Sequence, residues 1–163
     1  MTLKQHCRDF IFGEDTQVVI ACNTAHLLRE ELEDHMQHKI SSLINASLDE
    51  ISKRKLRSVV LLASPTTISS GLYEKPLSEA GIEVVLASDE QQKLTESIIR
   101  QAIANKPLDA LRDKLTKVIG DLESDAQCVL LGCTELSLIY GVTKNPSVID
   151  PMSLVVEEMF RKD

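Results

Sequence analysis

Two kinds of apolar pattern alternate along this chain. Short, mostly apolar runs occupy residues 18–21, 58–63, 82–87, 129–132 and 148–149, with Ser58 and Glu83 as their polar members, and between them apolar residues recur every three or four positions. Aliphatic runs without polar alternation suit strands buried on both faces, which is the condition of a parallel sheet covered by helices. The intervening spacing predicts those helices. A short amphipathic one is expected around residues 3–12, followed by a turn at Gly13-Glu14-Asp15. Another runs from Cys22 to about residue 38. Ile40, Leu43, Ile44, Leu48 and Ile51 then recur at helical spacing, and Lys53, Arg54, Lys55 and Arg57 close the segment where cations suit a helix C-terminus.

The second half reads in the same way. Ser64-Pro65-Thr66-Thr67 is a hydroxyl-rich loop opening a helix that contains Gly71 and Tyr73, and Gly81 stops it before the next strand. Helices are expected over about 90–104 and 108–122. In the latter Leu108, Leu111, Leu115, Val118, Ile119 and Leu122 form one continuous stripe. A short helix follows Cys133, and Asp150-Pro151 opens the C-terminal helix as N-cap and first-turn proline. Strands alternating with helices predict an α/β protein with a mostly parallel sheet.

Two strand ends carry candidate chemistry. Val18-Val19-Ile20-Ala21 leads into Cys22-Asn23-Thr24-Ala25-His26, and Val129-Leu130-Leu131-Gly132 leads into Cys133-Thr134-Glu135-Leu136. Ligands of parallel sheets bind beyond the carboxyl ends of the strands, so both thiols stand where chemistry is usually done. A cysteine in the first turn of a helix also feels unpaired N–H groups and the positive end of the dipole, which favours the thiolate. Two such thiols facing one cavity could pass a proton through it.

Composition narrows the field. The 163 residues are 43% hydrophobic, enough for one domain or two small ones with a core. A net charge of −7 and only three Phe, two Tyr and no Trp argue against a nucleic-acid surface. No apolar stretch approaches the roughly 18 residues of a membrane span, and the first residues lack a signal-peptide core. The expectation is a cytoplasmic chain with no membrane partner. Its four cysteines, Cys7, Cys22, Cys128 and Cys133, form no secreted disulfide framework.

Four stretches carry a resemblance to a known family. These are the run from Val18 to His26, the stretch Leu61-Leu62-Ala63-Ser64-Pro65-Thr66-Thr67-Ile68-Ser69-Ser70-Gly71-Leu72-Tyr73, the run Leu131-Gly132-Cys133-Thr134-Glu135-Leu136, and Val148-Ile149-Asp150-Pro151. In this order they resemble the aspartate/glutamate racemase superfamily. Glutamate racemases usually have a histidine where this chain has Glu135, so Cys133-Thr134-Glu135 points to the aspartate racemase branch.

The resemblance implies a cofactor-independent racemase that interconverts L- and D-aspartate, or glutamate. One cysteine removes the α-proton as thiolate while the other, as thiol, reprotonates the opposite face. Cys22 and Cys133 match the two catalytic positions. Asn23, Thr24, Thr67 and Thr134 match positions that hydrogen-bond the substrate, and Glu135 is placed near its ammonium. Inversion needs an acid and a base on opposite sides of a plane, and donors must then stabilise the carbanion-like transition state. The ligand implied is a small acidic amino acid, with no metal. Two similar α/β domains with the site in the cleft between them are expected. The first is incomplete and discontinuous, residues 1–45 plus 146–163, and the second spans 46–145.

Family members carry a longer segment ahead of the first cysteine motif than the twenty-one residues found here. The missing part would hold the first strand, a glycine-rich turn and a basic residue that grips a substrate carboxylate. A first domain of about two strands leaves an edge and apolar helix faces uncovered, so a homo-oligomer is expected. Three functions stay open: the racemase, a non-catalytic remnant that keeps fold and thiols, and a hydantoin racemase or decarboxylase chemistry. The two-cysteine pattern disfavours single-cysteine decarboxylases.

Other features have plainer readings. Cys7 and Cys128 are expected to be small core hydrophobes. His26, four residues after Cys22, could pair with it on a metal, but no further ligands are grouped nearby. His35, His38 and the basic cluster at 53–57 are read as solvated.

Overall fold

The structure is a computed structural model that describes residue 13, residues 16–141 and residues 145–161. The expected helix at residues 3–12, most of the turn after it and Cys7 lie outside the described residues. Two parallel sheets organise the rest. The smaller pairs β1 (Val18–Val19) with β2 (Ile40–Ser41), and the larger has the order β4 (Glu83–Leu86), β3 (Ser58–Ala63), β5 (Val129–Gly132), β6 (Val148–Ile149). All ladders are parallel, as an α/β chain requires.

Between β1 and β2 lie a 3-10 turn at Thr24–Leu28 and helix α1 (Arg29–Met36). The remaining helices are α2 (Leu43–Lys53), α3 (Pro65–Ser69), α4 (Glu74–Glu79), α5 (Asp89–Ile103), α6 (Leu108–Leu122), α7 (Thr134–Tyr140) and α8 (Pro151–Met159). Strand alternation divides the core into two layers. Val60, Leu62, Val129 and Leu131 face a cluster with Ile98, Leu111, Leu115, Val118 and Leu122 of α5 and α6. Val59, Leu61, Ala63 and Leu130 face Leu43 and Ile51 of α2, Leu77 of α4 and Val155 of α8. Each fully buried aliphatic side chain contributes about 1.5–3 kcal/mol relative to exposure, so this double layer is the main source of stability.

Several local expectations need correction. The first strand covers only Val18–Val19 and is half-buried, because its sheet has one other strand. The helix expected from Cys22 begins as the 3-10 turn and becomes α-helical only at Arg29. Ile40 belongs to β2 rather than to the following helix, which Ser42 starts by accepting the Asn45 N–H at 3.2 Å. The helix expected through Gly71 and Tyr73 is broken there: α3 ends at Ser69 and Gly71 adopts φ +68°. A left-handed conformation at that point suits glycine and turns the chain toward α4.

At larger scale, β6 pairs with β5 through Val129↔Val148 and Leu130↔Ile149. The final strand therefore extends the larger sheet. Parallel pairing with β5 satisfies its backbone there, while Asp150 caps α8 as expected by accepting the Met152 N–H at 3.1 Å.

Candidate active site

In the larger sheet, β3 connects outward to β4 on one side, and the chain then returns through α5 and α6 to β5 on the other. The carboxyl ends of β3 and β5 thus form a switch point, where the flanking loops diverge and leave a crevice. Ala63 and Gly132 are direct partners at the last position of this ladder. Ser64 and Cys133 consequently leave the sheet side by side. Gly132 is required there, because a methyl group on it would lie 2.8 Å from Leu61 Cδ1 and 3.0 Å from Ala63 Cβ.

The loop after β1 closes onto this crevice. A tight turn around Ala21, with the Cys22 N–H bonded to the Ile20 carbonyl at 2.8 Å, takes the chain off the strand. The freed Ala21 carbonyl accepts the Thr134 hydroxyl at 3.2 Å. A residue adjacent to each cysteine is therefore in direct contact across 113 positions of sequence. Beside this contact a cleft of about 390 Å³ is lined by Ala21, Thr134, Ser137, Asp150, Met152 and neighbouring residues.

Hydroxyls join the same β1 loop to the start of α3. Thr24 Oγ1 and Thr67 Oγ1 share a hydrogen bond of 2.9 Å, and Thr67 Oγ1 shares another of 3.0 Å with Ser64 Oγ. Ser64 also caps α3 by accepting the Thr67 N–H. Asn23 is only 3% exposed and accepts the Tyr73 hydroxyl at Oδ1. His26 fixes the loop from beneath. The Leu43 N–H donates to its Nε2 at 3.2 Å, so the ring proton sits on Nδ1 and is donated to the Cys22 carbonyl at 3.0 Å. Burial lowers the His26 pKa, in keeping with a neutral ring. Both ring nitrogens are thus committed to backbone, and His26 is a structural clamp on the Cys22 loop.

The two thiols have different surroundings. Cys22 is exposed, whereas Cys133 is 8% exposed and its Sγ donates to Glu135 Oε2 at 2.9 Å. Burial pushes the Cys133 pKa up to about 12, and the hydrogen bond and negative charge of Glu135 push the same way. This reverses the expectation that the helix start would favour the thiolate. The N–H groups of Glu135 and Leu136 do favour it, but desolvation and the carboxylate outweigh them. At neutral pH Cys133 is a thiol.

The model of the Asp/Glu/hydantoin racemase family matches residues 15–159. The chain belongs to that family. Among racemase relatives, the broad specificity amino-acid racemase RacX of Bacillus subtilis (strain 168) is 27% identical over 124 residues, covering 75% of this chain and 53% of its own. The glutamate racemase of Aquifex aeolicus (strain VF5) is 25% identical over 146 residues, with 86% and 55% covered. The chain spans about half the length of the curated relatives it matches. An aspartate racemase homologue from Pyrococcus horikoshii OT3 is similar in structure, with a TM-score of 0.67, 30% identity, and 88% of this chain and 64% of that one covered. The Picrophilus torridus aspartate racemase, at 23% identity and a TM-score of 0.69, covers 88% of this chain and 65% of its own and shares the fold.

On this racemase fold, the two strand-end motifs singled out in the sequence converge. Asn23 and Thr24 sit on the loop after β1, Thr67 on α3, and Cys133, Thr134 and Glu135 at the start of α7. Thr134 contacts the Cys22 loop directly, and Thr24 contacts Thr67. Glu135 meets the Cys133 thiol. Ser64 and Tyr73, which the sequence reading does not name as site residues, also bond to members of this group, and both fall within the stretch that carries the family resemblance. Ser64 is legible as a cap before Pro65. Tyr73 gave no local signal, since its partner lies fifty positions away.

Among the described residues, no group of three or more His, Cys, Asp or Glu side chains could hold a metal ion, and no helix is long and apolar enough to cross a membrane. Cys128 is buried in the core, as a small hydrophobe would be. His38 is not purely solvated, because its Nε2 hydrogen-bonds the Thr16 carbonyl at 2.6 Å. Arg54 of the basic cluster donates to the Pro146 carbonyl, tying α2 to the start of β6.

Proposed function

We propose that this chain is a cofactor-independent racemase of an acidic amino acid, aspartate first, with Cys22 and Cys133 as its acid/base pair. The contact between the Thr134 hydroxyl and the Ala21 carbonyl carries this reading, because it brings the neighbours of the two cysteines together at the carboxyl ends of both sheets. In one direction Cys22, as thiolate, takes the α-hydrogen as a proton, and the C–H electron pair stays on carbon beside the carboxylate. The Cys133 thiol gives its proton to the opposite face, leaving Cys133 as thiolate and Cys22 as thiol. The reverse direction exchanges the roles.

The raised pKa of Cys133 supports assigning it the proton at rest. Between turnovers in one direction the exposed Cys22 thiol loses its proton to water, and the Glu135 carboxylate beside Cys133 Sγ relays a proton from water to the Cys133 thiolate. Thr24, Thr67, Thr134 and Asn23 supply hydroxyl and amide groups for a carboxylate. The aspartate preference rests on the Cys133-Thr134-Glu135 run and on the likeness to an aspartate racemase homologue.

A second reading is favoured by the exposure of Cys22, since proton transfer at carbon calls for a site from which water is excluded. On that reading the chain keeps the fold and thiols without catalysis. The racemase reading instead requires the Cys22 loop to be covered, and it includes self-association as the means. Exchange of the α-hydrogen of L- and D-aspartate and glutamate in heavy water separates the two. Wild type should exchange both enantiomers of its substrate, and Cys22→Ala and Cys133→Ala neither. If no acidic amino acid exchanges, the non-catalytic reading replaces the racemase.

A further inference from the structure

We propose that Tyr73 is a positioning residue that holds the Asn23 amide in one orientation, with its oxygen engaged and its two N–H donors left for a ligand carboxylate. The inference rests on the racemase reading for its substrate but on separate contacts for its geometry. Tyr73 is 0% exposed and occupies the turn between α3 and α4, within the cluster that includes Leu61, Ala63 and Leu77. Its ring is therefore fixed by packing. Its hydroxyl donates to Asn23 Oδ1, and the Ser47 side chain of α2 hydrogen-bonds the same Tyr73 hydroxyl.

An amide side chain has one acceptor end and one donor end, and a planar flip exchanges them. With the phenol on Oδ1, Asn23 can offer only Nδ2. No acceptor of the described residues meets Nδ2, yet no buried side-chain nitrogen or oxygen among them lacks a partner. Nδ2 therefore keeps some contact with solvent, although Asn23 as a whole is buried. Asn23 follows Cys22 directly, so its free donors belong to the loop that carries one thiol and that touches Thr134 through the Ala21 carbonyl. The group they suit is an acceptor, preferably anionic, as a carboxylate is.

Tyr73 does not itself exchange protons in this scheme. Burial raises its pKa far above the neutral range, and the negative charge of Asp150 adds to that effect. It stays a donor at every pH at which the protein works. Losing the hydroxyl would free the amide to turn its oxygen toward the ligand, where it would repel a carboxylate.

Tyr73→Phe keeps the ring and removes only that donor. The expected result is a rise in KM on the order of tenfold, the effect of one lost hydrogen bond to a charged group, with a smaller change in kcat and an unchanged pH profile. In an Asn23→Ala background the same substitution should have no further effect, as a double-mutant cycle reads directly. A penalty that persists without Asn23, or a displaced pH profile, would overturn the proposal. Should Tyr73→Phe fail to fold, Asn23→Asp serves instead: the free carboxylate oxygen should raise KM further than Asn23→Ala does, and equal KM values for the two would refute the donor role.

The same claim has a readout independent of turnover. In wild type the Asn23 side-chain amide should give one fixed pair of proton resonances, and Tyr73→Phe should shift them. Unchanged resonances in a folded Tyr73→Phe protein would overturn the positioning role whether or not the chain racemises anything. Absence of racemisation with altered resonances would instead fault the racemase reading alone.

Discussion

Cys133 shows how a single residue can be identified by sequence and yet mistaken in its chemistry. Its position at a strand end is visible from the apolar run before it, but burial and the approach of Glu135 are products of the folded surroundings. Together they raise its pKa to about 12, so the native protein keeps this proton longer than the unfolded chain does. The stability associated with the thiol is whole below about pH 9 and is lost as pH climbs toward 12. Glu135→Gln removes both the charge and the carboxylate acceptor and should lower the Cys133 pKa. In a Cys22→Ala background, alkylation of Cys133 should then begin at lower pH than in the parent, and an unshifted alkylation profile would refute the assignment. Tyr73 and Ser64 were harder to select for the opposite reason. Nothing in their local sequence separates a hydroxyl that fixes a loop from one that merely caps a helix or fills a core.

At the scale of elements, long amphipathic segments were readable and short ones were not. The stripe of Leu111, Leu115, Val118, Ile119 and Leu122 specifies α6, and the apolar run of β3 after Ser58, with that of β5, specifies a sheet covered on both sides. β2 escaped notice because Ile40 also fits the helical spacing of Leu43, Ile44 and Ile51, and two residues are too few to show a period. The cap at Ser42 was the available signal. Gly132 marks the tightest element contact in the site. Gly132→Ala forces a methyl against Ala63 Cβ, which has no rotamer to yield, and should cost about 1–3 kcal/mol of stability. Chemical denaturation measures this, and a variant as stable as the parent would show that β3 and β5 can part without penalty.

For the molecule as a whole, the α/β class and parallel sheets follow from the alternation of patterns, whereas the place of the last strand does not. A two-residue run at Val148-Ile149 carries no information about which neighbour it pairs with, and it joins β5. The outer surface explains why self-association belongs to the account. Leu27 and Leu28 follow the Cys22 loop exposed, and exposed Leu138 and Val156 share the wall of the cleft beside Thr134. Apolar surface beside the candidate active site is expected to be covered in the working form. Sedimentation velocity at micromolar concentration should accordingly report a dimer or larger species, and a soluble monomer would contradict this part of the account.

The central claim is that two thiols act from opposite sides of one substrate carbon, and the fate of isotope in the earliest turnovers tests it most directly. In heavy water, starting from one enantiomer of aspartate, newly formed product should carry deuterium at the α-carbon while the remaining substrate retains its hydrogen. Equal labelling of substrate and product, or product that keeps the original hydrogen, would show that one group does the work and would contradict the pairing of Cys22 with Cys133.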